Sequence, residues 1–159
     1  MKGKTMLIVM IILGVLLVIV LVVAGVIGYY NYQADKMPEH AEFAKGTVPA
    51  QMPDGPYNGS ATVNIGTWRG KQFDRAAKTG INRFSDGNSY EFTTYVGKGL
   101  RDPNEEVVKI DYNQPSNPWW LRLVTDEIVQ VGPNEFLGKI HISPLPGVTV
   151  TYGYFRLKK

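Results

Sequence analysis

Residues 127–142 read EIVQVGPNEFLGKIHI. The Gly-Pro-Asn run at positions 132–134 is a strong turn former. The segments on either side of it are rich in β-branched and aromatic residues, which is typical of strands. We therefore predict a tight antiparallel hairpin, with strands over residues 127–131 and 135–142.

Similar segments recur through the chain after Pro56. Further strands are predicted at residues 68–73, 90–96, 108–112, 119–124 and 148–157. Turn formers separate them, so that seven or eight antiparallel strands fit into about 100 residues. We predict an all-β domain over residues 57–159 that closes into a small antiparallel barrel, because closure removes exposed strand edges. A sandwich of two sheets is the alternative.

The N-terminal part of the chain has a different character. Residues 6–30 carry no charged side chain, and their non-apolar residues are three glycines. A helix of this length spans about 37 Å, which exceeds a hydrocarbon core of about 30 Å. We predict a transmembrane helix here, preceded by a cytoplasmic stub of residues 1–5. A cleaved signal peptide is the competing interpretation, but its apolar core is usually shorter.

The residues that flank this helix predict its orientation. Lys2 and Lys4 precede it without any acidic residue, whereas the lysines that follow it are interleaved with acidic residues. The positive-inside rule then places the N-terminus in the cytoplasm and exports the C-terminal domain. Ala24 and Gly28 form a small-xxx-small pair that permits a homodimer, but such pairs are frequent in apolar segments and give it no support.

A proline-containing segment connects the helix to the barrel. Residues 31–56 carry four prolines and one short helical candidate, residues 39–45. We predict that this segment is a stalk and not a domain.

Composition excludes several kinds of site. The chain of 159 residues has no cysteine, which excludes disulfides, Cys-ligated zinc and iron–sulfur clusters. Without Lys2 and Lys4 it carries 15 basic against 14 acidic residues, so no basic stripe predicts a nucleic-acid partner. The two histidines, His40 and His141, belong to no recognised catalytic or metal motif. We predict no metal and no cofactor, and we favour a non-catalytic protein.

The most specific local motif is GTWRG at residues 66–70. Together with Arg156 in the last predicted strand, it resembles the lipocalin or calycin superfamily, and in particular the bacterial lipocalin-like domains with a Gly-x-Trp-x-Gly motif. The resemblance covers about residues 59–159. It implies a lipocalin-like barrel in which Arg156 packs across the Trp68 indole and closes one end. Such a cation–π contact contributes roughly 0.5–2 kcal/mol.

Aromatic residues are the candidates for a ligand-binding interior. They are Tyr90, Phe92, Tyr112, Trp119, Trp120, Phe136, Tyr152 and Tyr154. The polar candidates are Asp111, Arg122, Asp126, Lys139 and His141. Adjacent tryptophans after a proline favour one indole in the core and one over a neighbouring strand, and the alternative is a stacking rim or a wedge against a bilayer. Asp126 and Glu127 should face opposite sides of a strand, with Arg122 or Lys139 neutralising one of them.

We therefore predict membrane-anchored, non-catalytic binding of a small hydrophobic or amphipathic ligand by an exported lipocalin-like barrel. The predicted partners are the membrane, through residues 6–30, and a lipid or small apolar ligand. The alternative is a structural or protein-interaction module of the cell envelope with a filled barrel. A third interpretation, an isomerase- or hydrolase-like barrel, requires His141 to meet Asp111 or Asp126 in one cavity.

Overall fold

A computed structural model describes residues 2–159 of the chain and the side chains of residues 3–159. Its helices are α1 (Lys2–Asp35) and α2 (Pro38–Phe43), and a 3-10 turn covers Leu121–Leu123. Its strands are β1 (Gly55–Ala61), β2 (Trp68–Asp74), β3 (Thr79–Phe84), β4 (Gly87–Lys98), β5 (Glu106–Asp111), β6 (Val124–Gly132), β7 (Glu135–Leu145) and β8 (Val148–Lys158). Met1 and the Lys2 side chain, on which part of the orientation prediction depends, lie outside the described residues.

Within residues 2–159, strands β1 to β8 form a closed antiparallel barrel. Each strand pairs with the next along the chain, and β1 pairs with β8 to complete the cylinder. The predicted all-β barrel with one N-terminal apolar helix is therefore confirmed, and the sandwich alternative is wrong. The hairpin predicted from residues 127–142 is β6 and β7, whose turn holds Asn134 at a φ of 54°.

Two strands escaped prediction, and one predicted strand is absent. The β1 sequence GPYNGSA has weak strand propensity, but closure of the barrel gives it β2 on one side and β8 on the other. Strand β3 was also missed. Residues 119–124, predicted as a strand, start instead as a turn and the 3-10 helix, because Leu121 donates its backbone N–H to the Pro118 carbonyl at 3.0 Å.

The two ends of the barrel differ. We call the end where β2, β4, β6 and β8 begin the mouth, and the opposite end the closed end. Interior side chains fill the closed end, where Tyr57 packs edge-to-face against Phe73 and Phe136 at centroid distances of 5.8 and 5.5 Å. Phe73 contacts Phe92 in the same way at 5.4 Å, so this half of the interior is a packed aromatic core.

The segment predicted as a stalk packs against the outside of the barrel. Ala34 at the end of α1 and Phe43 of α2 are buried with Val129, Leu137 and Tyr154 in a second apolar cluster. The backbone of residue 47 also bridges to residue 130 of β6. Residues 31–56 therefore cover an outer face of β5–β8 and do not form a free tether.

Helix α1 continues the chain away from this contact. Among the described residues, it is the one helix long and apolar enough to cross a membrane, a test that a signal sequence also passes. The large apolar side chains between Met6 and Val23 are exposed. A helix that is apolar on every side and uncovered is suited to a lipid environment.

Candidate functional site

A cavity of about 590 Å³ occupies the mouth half of the barrel. Its aromatic lining consists of Trp68, Phe84, Tyr90, Tyr112, Trp119, Trp120, Tyr152 and Phe155. Aliphatic side chains from β6, β7 and the 3-10 turn complete most of the wall. This volume lies within the range of about 300–1,000 Å³ that is typical of small-molecule sites.

Two bulges aim aromatic side chains into the cavity. The register of β3 against β4 shifts between Ile81 and Asn82, which leaves Tyr90 as an extra residue with a φ of 65°. A bulky residue adopts this conformation only where its surroundings impose it. Here the Tyr90 ring packs against Phe84 and Trp120, at centroid distances of 5.7 and 6.1 Å.

The second bulge accounts for the last glycine of the Gly-x-Trp-x-Gly motif. The register of β2 against β3 shifts between Trp68 and Gly70, and Gly70 has a φ of 133°. A Cβ atom on Gly70 would lie 2.1 Å from the Tyr57 carbonyl, and one on Gly59 would lie 2.3 Å from the indole of Trp68. The glycines therefore let β1 approach β2 and leave room for the indole.

A buried polar network forms the floor of the cavity. The Lys71 ammonium lies 2.9 Å from an Asp126 carboxylate oxygen and also donates to the Asn82 side-chain oxygen at 2.9 Å. It donates to the Tyr112 hydroxyl as well, and that hydroxyl donates to Asp126 at 3.1 Å. The Trp68 indole N–H donates to Asn82 at 3.0 Å, so the network joins β2, β3 and β6.

The floor is electrically compensated. Lys71 is 2% exposed and Asp126 is 4% exposed, so both charges are held in a low-dielectric environment. Burial lowers the pKa of Lys71, while the charge and hydrogen bond of Asp126 oppose that shift. Burial also raises the pKa of Tyr112 well above its usual value, which keeps its hydroxyl protonated. The Nζ of Lys71 lies 5.0 Å from the centroids of both the Tyr112 and Phe155 rings.

The aromatic candidates divide between three locations. Tyr90, Tyr112, Trp119, Trp120 and Tyr152 line the cavity. Phe92 and Phe136 belong to the packed closed end. Tyr154 lies in the outer cluster, where its hydroxyl is 3.2 Å from the His40 ring, because residues 154 and 155 alternate between the two faces of β8.

The predicted Trp68–Arg156 pair is not formed. Arg156 lies on the outer face of β8, where it makes ion pairs with Glu42 at 2.6 Å and Glu135 at 2.9 Å. Its neighbour Phe155 points inward and packs against the Trp68 indole at 5.8 Å. The cation nearest the indole inside the barrel is Lys71, at 5.6 Å from the ring centroid.

Of the polar candidates, Asp126 alone lines the cavity. Asp111 accepts a hydrogen bond from the backbone of residue 113, and Arg122 donates to two backbone carbonyls in the same loop. Lys139 pairs with Asp102 at 2.8 Å on the outside. Asp126 and Glu127 do face opposite sides of β6, as predicted, but neither Arg122 nor Lys139 neutralises them.

Glu127 is instead held in a buried cluster on the outer face. Lys109 donates to one of its carboxylate oxygens, and His141 lies 3.1 Å from the other. Burial alone would raise the pKa of Glu127, but His141 and Lys109 outweigh it and lower the pKa to about 2. The Thr151 hydroxyl is 3.3 Å from the second ring nitrogen of His141.

The third interpretation requires His141 to meet Asp111 or Asp126 in one cavity, and this requirement is not met, because the His141 ring is held by Glu127 and Thr151. His141 is fully buried outside the barrel, whereas Asp126 lies inside it. The Thr151–His141–Glu127 chain of hydrogen bonds has the order of a nucleophile, base and carboxylate, but all three side chains are buried and Arg101 donates to the Thr151 hydroxyl at 2.7 Å. No substrate atom reaches that hydroxyl in this arrangement.

Lys71 and Asn82 are the site residues that sequence analysis missed. Lys71 lies two residues before the inward-facing Phe73, so a strict period of two predicts that it also faces inward. Asn82 could not be found in the same way. The bulge at Tyr90 shifts the register of β4 against β3 next to Asn82, and this shift breaks the regular alternation.

The described part of the chain shows no candidate metal site. Among residues 2–159, no group of three or more histidine, aspartate or glutamate side chains is arranged to hold a metal ion. Comparison of the chain with family models, with curated proteins and with solved structures finds no significant match. Any functional conclusion therefore depends on the geometry of the mouth cavity.

Proposed function

We propose that this protein is a membrane-anchored, non-catalytic carrier or receptor for a small hydrophobic or amphipathic ligand, which binds in the mouth cavity. The observation that carries the proposal is the cavity of about 590 Å³, walled by aromatic and aliphatic side chains above a buried polar floor. In a barrel that serves only as a scaffold, we would expect side chains to fill the mouth half of the interior as they fill the closed end.

The lipocalin resemblance supports the same proposal. The Gly-x-Trp-x-Gly motif lies at the start of β2, beside the cavity, and its indole forms part of the cavity wall. Lipocalin-like domains use this kind of barrel interior for apolar ligands. We propose that the barrel belongs with them, although the pairing of the motif with Arg156 is replaced here by Phe155 and Lys71.

The floor favours ligands with an uncharged polar head. Because the Lys71 charge is compensated by Asp126 at 2.9 Å, a carboxylate entering the cavity would gain from one group and be repelled by the other. The three hydrogens of the Lys71 ammonium are already used within the floor, so a hydroxyl head group would bind by donating to an Asp126 carboxylate oxygen, without the repulsion that an anionic head group meets. We therefore propose fatty alcohols, or amphiphiles with comparable neutral heads, as the ligand class.

The membrane anchor of this proposal is α1, which would hold the barrel close to a reservoir of apolar ligand. In the proposed topology, Lys4 and the preceding residues remain in the cytoplasm and the barrel is exported.

The test is ligand binding by the full chain in phosphatidylcholine nanodiscs. Decanol should quench or shift the fluorescence of the cavity tryptophans in a saturable manner, and native mass spectrometry should detect a bound amphiphile. Ile140→Trp fills the cavity and should abolish saturation, while Val96→Trp, at an exposed position near the closed end and away from the cavity, should leave it intact. Circular dichroism checks that both variants fold.

Failure of wild-type protein to bind decanol, decanoate or decylamine would reject the carrier proposal. The envelope interaction module would then be preferred, because Trp119 is 75% exposed at the mouth and offers an apolar contact surface.

A further inference from the structure

The contact between α1 and the barrel defines where the helix leaves it. The Asn31 side chain donates to the Thr149 carbonyl at 3.1 Å and accepts from the Thr151 N–H at 2.8 Å. Three residues later, Ala34 packs in the same cluster as Tyr154. The helix and β8 therefore run in the same direction here, and towards its N-terminus α1 extends past the beginning of β8, which lies at the mouth.

This direction is held by several interactions. The Asp35 carboxylate receives two hydrogen bonds from Arg101, at 2.8 and 2.7 Å, and Arg101 also donates to Thr151 of β8. Helix α1 is continuous from Lys2 to Asp35, so no break separates its apolar part from the part that contacts the barrel. The orientation of the barrel is thus coupled to that of the helix.

Apolar side chains are exposed on the same side. At the mouth rim, Trp119 is 75% exposed and Leu145, in the β7–β8 hairpin, is 63% exposed. Tyr29 and Tyr30 mark the end of the apolar part of α1, directly before the Asn31 contact. Tryptophan and tyrosine are enriched where a protein passes from hydrocarbon to water.

We propose that the mouth rim lies against the same bilayer that α1 enters, so that the cavity opens towards lipid and not towards bulk water. The partner is the lipid surface itself, contacted by the rim formed by Trp119, Trp120, Leu145 and Tyr152. The inference rests on the membrane anchorage proposed above, but not on ligand binding.

Spin labelling of the full chain in nanodiscs of phosphatidylcholine and phosphatidylglycerol tests this orientation. Because the chain has no cysteine, single nitroxides are introduced by Trp119→Cys, Leu145→Cys, Ala76→Cys and Leu17→Cys. Ala76 is an exposed control in the β2–β3 turn at the closed end, and Leu17 is the control within α1. Power saturation with oxygen and with a water-soluble nickel chelate measures the exposure of each label to lipid or water.

Labels at positions 119 and 145 should be more accessible to oxygen than to nickel, as at position 17, and the label at position 76 should show the reverse. Nickel accessibility at 119 and 145 equal to that at 76 would overturn the proposed orientation while leaving the anchor intact. Nickel accessibility at position 17 would overturn the anchor as well. A separate decanol titration of the same samples reports on ligand binding, so the two proposals fail independently.

Discussion

At the level of single residues, the barrel uses its two faces for two different buried ion pairs. Asp126 and Glu127 are adjacent in β6, but Asp126 meets Lys71 at the floor of the cavity and Glu127 meets Lys109 and His141 on the outside. Removal of one partner from such a pair leaves an uncompensated buried charge. In the proposed function the inner pair affects the choice of ligand, and we expect the outer pair to affect stability.

Asp126→Asn should change the preferred ligand head group. Without the carboxylate, the repulsion of an anionic head disappears, and we expect the affinity for decanoate relative to decanol to rise by at least about tenfold, which corresponds to about 1.4 kcal/mol. Fluorescence titration measures both dissociation constants. Asp111→Asn removes a carboxylate outside the cavity and should leave the ratio unchanged; an equal change in both variants would contradict the assigned role of Asp126.

Glu127→Gln should lower stability in a pH-dependent manner. The pKa of Glu127 in the folded protein, about 2, lies below its ordinary value of 4.5, so its carboxylate stabilises the fold above pH 4.5 and loses this effect as the pH falls towards 2. We expect a loss of about 3 kcal/mol at neutral pH. Chemical denaturation of the detergent-solubilised full chain at several pH values should show the difference from wild type shrinking on acidification.

The matched control is Glu106→Gln. Glu106 forms an exposed pair with Lys98 at 3.5 Å, which contributes at most about 1 kcal/mol. A pH-independent deficit in Glu127→Gln would show that the lost contribution is packing and not charge.

At the level of elements, the strands with regular alternation were predictable and the irregular ones were not. The β6–β7 hairpin follows from its turn residues and its β-branched flanks. Strand β1 depends on partners contributed by β2 and β8, which no local pattern reveals. The Trp68–Arg156 error has a similar origin, since residues 42 and 135 that pair with Arg156 are far from it in sequence.

The site was predictable to the extent that alternation places a side chain inward. This reasoning grouped Tyr112 with Val108 and Ile110, and it put Asp126 and Glu127 on opposite faces without deciding which of the two faces inward. Its strict application to β2 would have found Lys71. It failed for Tyr154, because Tyr154 is buried on the outside by the end of α1 and by α2, within residues 31–56, which sequence analysis predicted to be a stalk. Burial by a covering segment resembles burial in the barrel interior when only the sequence is known.

The covering segment leads to a prediction for α2. Phe43 is 1% exposed, and its ring lies 4.2 Å from the Lys139 ammonium. Phe43→Ala should lower the unfolding free energy by about 3 kcal/mol and expose residues 38–48 to protease, because the ring holds α2 against β7. Val96→Ala, at an exposed position away from α2, is the control for both measurements. Unchanged proteolysis in the Phe43 variant would show that other contacts hold the segment.

At the level of the whole molecule, the packed closed end and the open mouth differ in structure. The closed end supplies an aromatic core that keeps the cylinder rigid, whereas the mouth retains space and an apolar rim. The covering segment makes the barrel and α1 one unit, through Asn31 and Asp35. If this unit holds its mouth against lipid, a ligand passes between bilayer and cavity without crossing water.

Leu145→Glu should therefore slow ligand exchange without changing ligand affinity. Leu145 lies on the rim but does not line the cavity, so the substitution alters the contact with lipid and leaves the binding walls intact. Loss of about 1 kcal/mol of apolar contact would reduce the docked population, and with it the exchange rate, by about fivefold. Stopped-flow fluorescence, following transfer of a dansyl-labelled fatty alcohol from the surrounding nanodisc lipid to the cavity, measures this rate. Val96→Glu introduces the same charge away from the mouth and should exchange ligand at the wild-type rate; equal slowing in both variants would refute direct passage from the bilayer.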